Sequence, residues 1–244
     1  MIGTQRRARP LLGTLVEVGV ACSCADGTAV FDAAFSAIET VQACMSRFEP
    51  DSDVSRFHAM AVGQSLLVDS LTAQVLHTAA WLQAESAGLF DIALGSARDG
   101  WQCEGLRLTK LRANVQLDLG GIAKGHAVDC AVAALRAAGC TAGWVNAGGD
   151  LRAFGDLELP ISLRDEQQGG VRAFGALSDG AFATSHFGRG ARSRIWPANA
   201  AQESHVSVMA PRCLWADALT KVVALSHEAQ HPLLAALGAQ AWLH

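Results

Sequence analysis

Long apolar runs are missing from this sequence. No stretch reaches the ~18 residues of a membrane-spanning helix. The N-terminus, "MIGTQRRARPLLGTLVEVGV", is basic but has no apolar core for a signal peptide. The chain therefore reads as soluble and not exported: cytoplasmic as it stands, periplasmic or membrane-anchored if a leader has been removed. A basic excess is missing too. The formal net charge is −4, which argues against a nucleic-acid partner. No CxxC pair offers zinc ligands, and the seven cysteines are odd in number and scattered. Cys22 and Cys24 are too close for an ordinary bridge, so the thiols read as reduced. Repeats, low-complexity tracts and linkers are also lacking, and residues 1–244 read as one domain.

What is present is a globular composition, with 50% hydrophobic and 17% charged residues. A chain this long buries roughly 70% of its unfolded surface and needs no staples. "TLVEVGVAC" (14–22) alternates as a strand. Val30, Ala34, Ile38 and Val41 mark one face of a helix over 28–45. Ser52 suits the N-cap of a short helix carrying Phe57, and Ser70 opens a further helix stopped by Gly88. "QLDL" (116–119) reads as a strand and 121–138 as a helix closed by Gly139. "GWVNAGGDLRAFG" reads as two strands joined at Gly148-Gly149. "LPISLR", "VRAFGAL", "AFATS" and "SHVSVMA" read as further strands. "CLWADALTKVVALS" is a late helix and "HPLLAALG" a short final one, with Pro232 near its first turn. Helices mixed with antiparallel-looking strands predict an α+β fold.

"DLGGIAKG" sets two glycines and Lys124 at the mouth of a helix, after Asp118. Such a turn either packs a helix on a strand or brings backbone N–H groups and the helix dipole to a phosphate. It matches neither GxxxxGK[ST] nor GxGxxG. "NAGGD" (146–150) reads as a turn, and "LFDIAL" (89–94) puts Asp91 in a half-buried strand. Asp217 and Lys221, at i and i+4, read as a surface ion pair worth ~0.3–0.5 kcal/mol. His126 and His186 belong to no metal-binding spacing, and satisfied structural roles are the simpler reading.

Taken in order, these pieces resemble the ApbE family of FAD:protein FMN transferases. The resemblance is carried by "LGT" (12–14), "MSRFEPDSDVSRFH" (45–58), "FDIALG" (90–95), "LDLGGIAKGHAVD" (117–129), "VNAGGD" (145–150), "ATSH" (183–186) and "ADALTK" (216–221). It implies an ApbE-like, T-fold-like architecture of largely antiparallel strands packed with helices. It also implies transfer of the FMN half of FAD to a threonine of a target flavoprotein, with release of AMP. On this resemblance Leu12 and Phe48 flank a ring system of the cofactor, and Leu89, Phe90 and Asp91 contact FAD. Asp118 and Lys124 lie beside its adenosine diphosphate portion, and Ile195 joins the binding set. Mg2+ would be held at Gly121, Asp217 and Thr220. Asp217, Lys221 and His186 are the catalytic candidates, and the acceptor carries a threonine-bearing motif.

Three departures qualify that expectation. The family's "HIIDPRTG" is here "SRIWPANA" (193–200), with Ser193 and Trp196 in place of His and Asp. The metal-ligating Thr of "ADALST" aligns with Lys221, and Thr220 points ~100° away on a helix. The segment between Trp101 and Val115 is short for the family. An ammonium has three donors and no acceptor, so Lys221 cannot ligate Mg2+ while charged. Mg2+ is then either lost or replaced by Lys221 as an electrostatic clamp. The alternative functions are FAD hydrolysis, or a degenerate flavin-binding or interaction protein.

Overall fold

Val30, Phe31, Ala34, Phe35, Ile38, Val41 and Met45 recur every three or four positions and form the buried face of α1 (Gly27–Met45). The computed structural model describes residues 5–21, 27–164, 169–188, 193–197 and 204–244. Cys22, Cys24 and residues 198–200 of the altered motif lie outside the described residues. The short helix α2 (Asp53–Ala59) starts where capping chemistry predicts, with the Ser52 hydroxyl accepting the Ser55 N–H at 3.0 Å. Then follow α3 (Ser70–Glu85), α4 (Ala123–Ala137), α5 (Cys213–Ser226) and α6 (Pro232–Ala236). No helix among the described residues is long and apolar enough to cross a membrane.

The strands are β1 (Gln5–Leu11), β2 (Thr14–Val20), β3 (Ser65–Leu67), β4 (Trp101–Glu104), β5 (Arg107–Lys110), β6 (Gly143–Ala147), β7 (Asp150–Phe154), β8 (Glu158–Arg164), β9 (Val171–Ser178), β10 (Ala181–Phe187), β11 (Ser204–Ala210) and β12 (Gln240–Leu243). Seven of them form one antiparallel sheet in the order β1-β2-β6-β7-β10-β11-β12. Period-two alternation divides their side chains between its faces. Val16, Val18, Val145, Ala183, Val206 and Val208 join the core shared with α1, α4 and α5. Trp144, Phe182, Met209 and Trp242 point the other way, under the β8–β9 hairpin. The β3-β5-β4 sheet stands apart from this layer, beside α2 and α3. The α+β class, with largely antiparallel strands, is therefore as the sequence predicts.

Several local expectations are corrected. "QLDL" makes no ladder: the Leu117 N–H donates to His58 Nε2 and the Asp118 N–H to Ile92 O, each at 2.8 Å. "LFDIAL" is a chain of turns and not a strand, because Asp91 accepts the N–H groups of Ala93 and Gly95 and folds the segment on itself. Helix α4 begins at Ala123, two residues later than the pattern suggests. The Asp217–Lys221 pair is buried, not on the surface.

Helices α4 and α5 meet at Gly125. A Cβ there would stand 2.3 Å from the Cys213 carbonyl oxygen, which is backbone and cannot step aside. Gly125→Ala should therefore destabilise the fold by about 1–3 kcal/mol or more, the range for overpacking a close-packed contact. Urea unfolding followed by circular dichroism reads this as a lowered midpoint.

Candidate functional site

Asp118 folds the glycine turn. Its Oδ1 accepts the Gly120 N–H at 2.9 Å, and its Oδ2 meets Arg194 Nη1 at 2.7 Å and Arg47 Nη1 at 3.7 Å. The turn delivers the chain into α4, whose N-cap Ile122 offers no side-chain acceptor. This helix start keeps its positive dipole end, while the Ile122 and Ala123 N–H groups donate to the Leu119 carbonyl and that of Gly125 to Asp217 Oδ2. It lies on a cavity of about 1100 Å3, at the upper end of small-molecule sites. The β6–β7 hairpin turns at Gly148 (φ 64°) and Gly149 (φ 106°), and a Cβ on Gly148 would meet Thr14 Oγ1 at 2.3 Å. Strand β10 pairs with β7 only near Phe182 and continues to Phe187, so Thr184, Ser185 and His186 border the cavity.

The structure brings most of the sequence-predicted residues to this one cavity. Leu12, Phe48, Leu89, Phe90, Asp91, Asp118, Gly121, Lys124, His186, Ile195 and Lys221 all line it. Phe48 is 80% exposed at its mouth, with the Arg47 guanidinium 4.7 Å from the ring centroid. Leu12 holds a left-handed backbone (φ 54°), fixed by its N–H to Gln42 Oε1 at 2.8 Å. His186 stacks on His205 with centroids 4.5 Å apart. Asp91 borders the cavity, but its oxygens are engaged by Ala93, Gly95 and Arg98. Asp217 and Thr220 are fully buried behind the wall.

Beneath the glycine turn lie four charges. Lys124 pairs with Asp150 and stands 3.9 Å from Asp217 Oδ2. That oxygen also accepts the Gly125 N–H at 3.1 Å. Asp217 Oδ1 pairs with Lys221, whose ammonium also donates to the Asp217 carbonyl at 2.9 Å and to Ser185 Oγ at 3.4 Å. Burial would raise the Asp217 carboxyl, but Lys124 and Lys221 together hold it below the usual carboxylate range. Burial and the neighbouring Asp217 push Asp150 the other way, upward. Lys124 is pulled down by burial, yet Asp150 and Asp217 outweigh that and raise it. The chain has only three lysines. Two are in this cluster; the third, Lys110, is buried with Nζ on the His58 carbonyl.

Gly121, Asp217 and Thr220 do not fit a divalent ion here. Lys221 fills the space between them, with its Cε 3.2 Å from where a Gly121 Cβ would be. The Thr220 hydroxyl is turned to the Asp217 carbonyl (2.7 Å) and Ser185 Oγ (3.0 Å). No group of three or more His, Cys, Asp or Glu among the described residues could hold a metal. Sequence reading missed Arg47, Asp150, Arg194 and Trp196. Asp150 ends the "VNAGGD" block, and Arg194 and Trp196 sit in the altered motif, so position alone pointed to them. Trp196 lies over Gly95, where a Cβ would stand 2.2 Å from its indole.

The sequence profile of the ApbE family matches residues 12–242. The FAD:protein FMN transferase of Rhodobacter capsulatus is 35% identical across an alignment that covers 49% of this chain and 29% of that protein. The FAD:protein FMN transferase of Treponema pallidum is 27% identical over 93% of this chain and 80% of its own length. The flavin transferase ApbE from Vibrio cholerae superposes with a TM-score of 0.86 at 21% identity, covering 99% of this chain and 93% of that one. The flavinyl transferase ApbE of Pseudomonas stutzeri gives 0.77 at 22% identity, covering 91% and 84%. At such identities the two structures establish the fold.

His58 ties this site to pH. Burial holds its imidazole below the ordinary value, and its Nε2 accepts the Leu117 N–H, a bond that only the neutral ring makes. The unfolded chain binds this proton at a higher pH than the folded one. Stability from this group is full above the unfolded value near 6.5 and declines as pH falls through it. The urea midpoint should drop between pH 7.5 and pH 5.5. In His58→Gln, whose carbonyl can accept the same N–H without titrating, that drop should shrink.

Proposed function

Because the chain belongs to the ApbE family, we propose that it cleaves FAD between its two phosphates. It transfers the FMN half to a threonine hydroxyl of an acceptor flavoprotein and releases AMP. The observation that carries this reading is one cavity that joins a glycine-turn helix start, paired basic residues and apolar walls. The FAD pyrophosphate suits the positive dipole end of α4, with Arg47 and Arg194 as planar donors for its oxygens. The ring systems suit Leu12, Phe48, Leu89, Phe90 and Ile195, and Trp196 adds a face beside Gly95.

In the transfer, the threonine oxygen forms a bond to the FMN phosphorus. The bond from that phosphorus to the bridging oxygen breaks, and its electron pair leaves with AMP. The hydroxyl proton passes to His186, the imidazole among the described cavity-lining residues. Lys124 and Lys221 are fixed positive charges below the turn, in a water-poor setting where charge stabilisation is strong. Asp217 and Asp150 hold those ammoniums in place. Water in place of threonine would give FAD hydrolysis by the same cleavage.

The test is incubation with FAD and a flavoprotein domain bearing the acceptor threonine, with chromatography of the flavins and AMP. The expected result is AMP together with flavin covalently bound to the acceptor. Lys124→Ala should slow AMP release about 100-fold, comparable with loss of one preorganised electrostatic group. Phe48→Ala should weaken FAD binding up to about tenfold. FAD held intact would make the chain a flavin-binding protein. AMP without flavinylated acceptor would make it a hydrolase.

A further inference from the structure

We propose that Lys221 is a built-in cation, standing where a divalent ion would serve the pyrophosphate, so that this chain cleaves FAD without a metal. The inference rests on the reading of the cavity as an FAD-cleaving site. Its ground is the saturation of Asp217. One carboxylate oxygen is taken by the Lys221 ammonium and the other by the Gly125 N–H, with Lys124 close by. The Asp217 carbonyl, a further oxygen that a hard cation would use, already receives both Lys221 and the Thr220 hydroxyl. Every donor of the ammonium has an acceptor: Asp217 Oδ1, Asp217 O and Ser185 Oγ.

Charge gives the same answer. Two carboxylates, Asp150 and Asp217, face two ammoniums, Lys124 and Lys221, and the cluster is neutral without an ion. With threonine at 221 the same cluster would be one positive charge short. A divalent ion can enter only by evicting a lysine that is 5% exposed, leaving its ammonium buried without a partner. The motif around Ile195 adds to this. Against "HIIDPRTG", the chain places Arg194 at an aliphatic position and Trp196 at the acid, and has Ala198 for the arginine. Together with Lys221 for threonine, the region gains two positive charges net, the charge of the ion it would replace. Arg194 reaches the cavity rim at Asp118, where Arg47 also points. A tethered ammonium carries half the charge of a divalent ion, and the paired guanidiniums make up the remainder at the phosphates.

Mn2+ is the probe, because its free-ion paramagnetic resonance signal reports binding without turnover. The full chain should leave that signal undiminished, and its AMP release from FAD should agree within about twofold in EDTA and in Mg2+. Lys221→Thr should take up one Mn2+ per chain and lose about tenfold or more of its AMP release in EDTA. Lys221→Met, which restores no oxygen ligand, should take up none, which separates a regained site from a loosened core. One Mn2+ bound by the unaltered chain and displaced by Mg2+ overturns the proposal, as does AMP release that EDTA abolishes. These two measurements decide it without any variant. AMP absent from both buffers would sink the FAD-cleaving reading, while the Mn2+ titration would still decide whether Lys221 holds the cation position.

Discussion

Helices α4 and α5 cap one another, and the site hangs from that exchange. Neither helix has a side-chain cap of its own at its N-terminus. Asp129, from α4, accepts the N–H groups of Cys213 and Leu214 at 3.0 and 3.1 Å, the first turn of α5. Asp217, from α5, accepts the Gly125 N–H in the first turn of α4. Each carboxylate meets the positive end of the other helix, where orphan donors and the dipole both favour it. Arg152 and Arg212 complete the Asp129 end, and Lys124 and Lys221 complete the Asp217 end. The second set borders the cavity, so the groups that hold the helices together also charge its floor.

This arrangement explains the tolerance for buried charge. Ion pairs in an interior gain little net stability over apolar residues of the same size, because desolvation offsets the attraction. They fix relative position instead, since a displaced partner leaves a bare charge. Two helices locked in this way keep the glycine turn, Lys124 and Lys221 in one geometry. That is what a site dependent on preorganised charge needs.

Much of the fold was legible in the sequence because periodicity and capping act locally. Helix α1 follows from its apolar spacing, α2 from Ser52, and the β6–β7 turn from Gly148-Gly149. Strand β1 was not legible. Its sequence, QRRARPL, is polar, and the arginine stems supply the cover: Arg7 and Arg9 lie over the rings of Phe31 and Phe35. "QLDL" misled because its pattern suits a strand while its hydrogen bonds go singly to His58 and Ile92. At the site, motif order pointed to residues that share one cavity. The character of Asp217 and Lys221 was not, since i,i+4 spacing is the same on a wet surface and in a core. Only the packing of α5 between α4 and β10 separates the two cases.

The placement of the three lysines has a consequence for handling the molecule. Lys110 and Lys221 are enclosed, and the Lys124 side chain is 35% accessible, facing the cavity. Among the described residues, the charged cationic side chains of the outer surface are arginines. Reagents selective for side-chain amines therefore have a single open address, the cavity itself. That address is a guarded one, because Asp150 and Asp217 keep the Lys124 ammonium protonated, so coupling chemistry aimed at lysine finds little to react with on this protein.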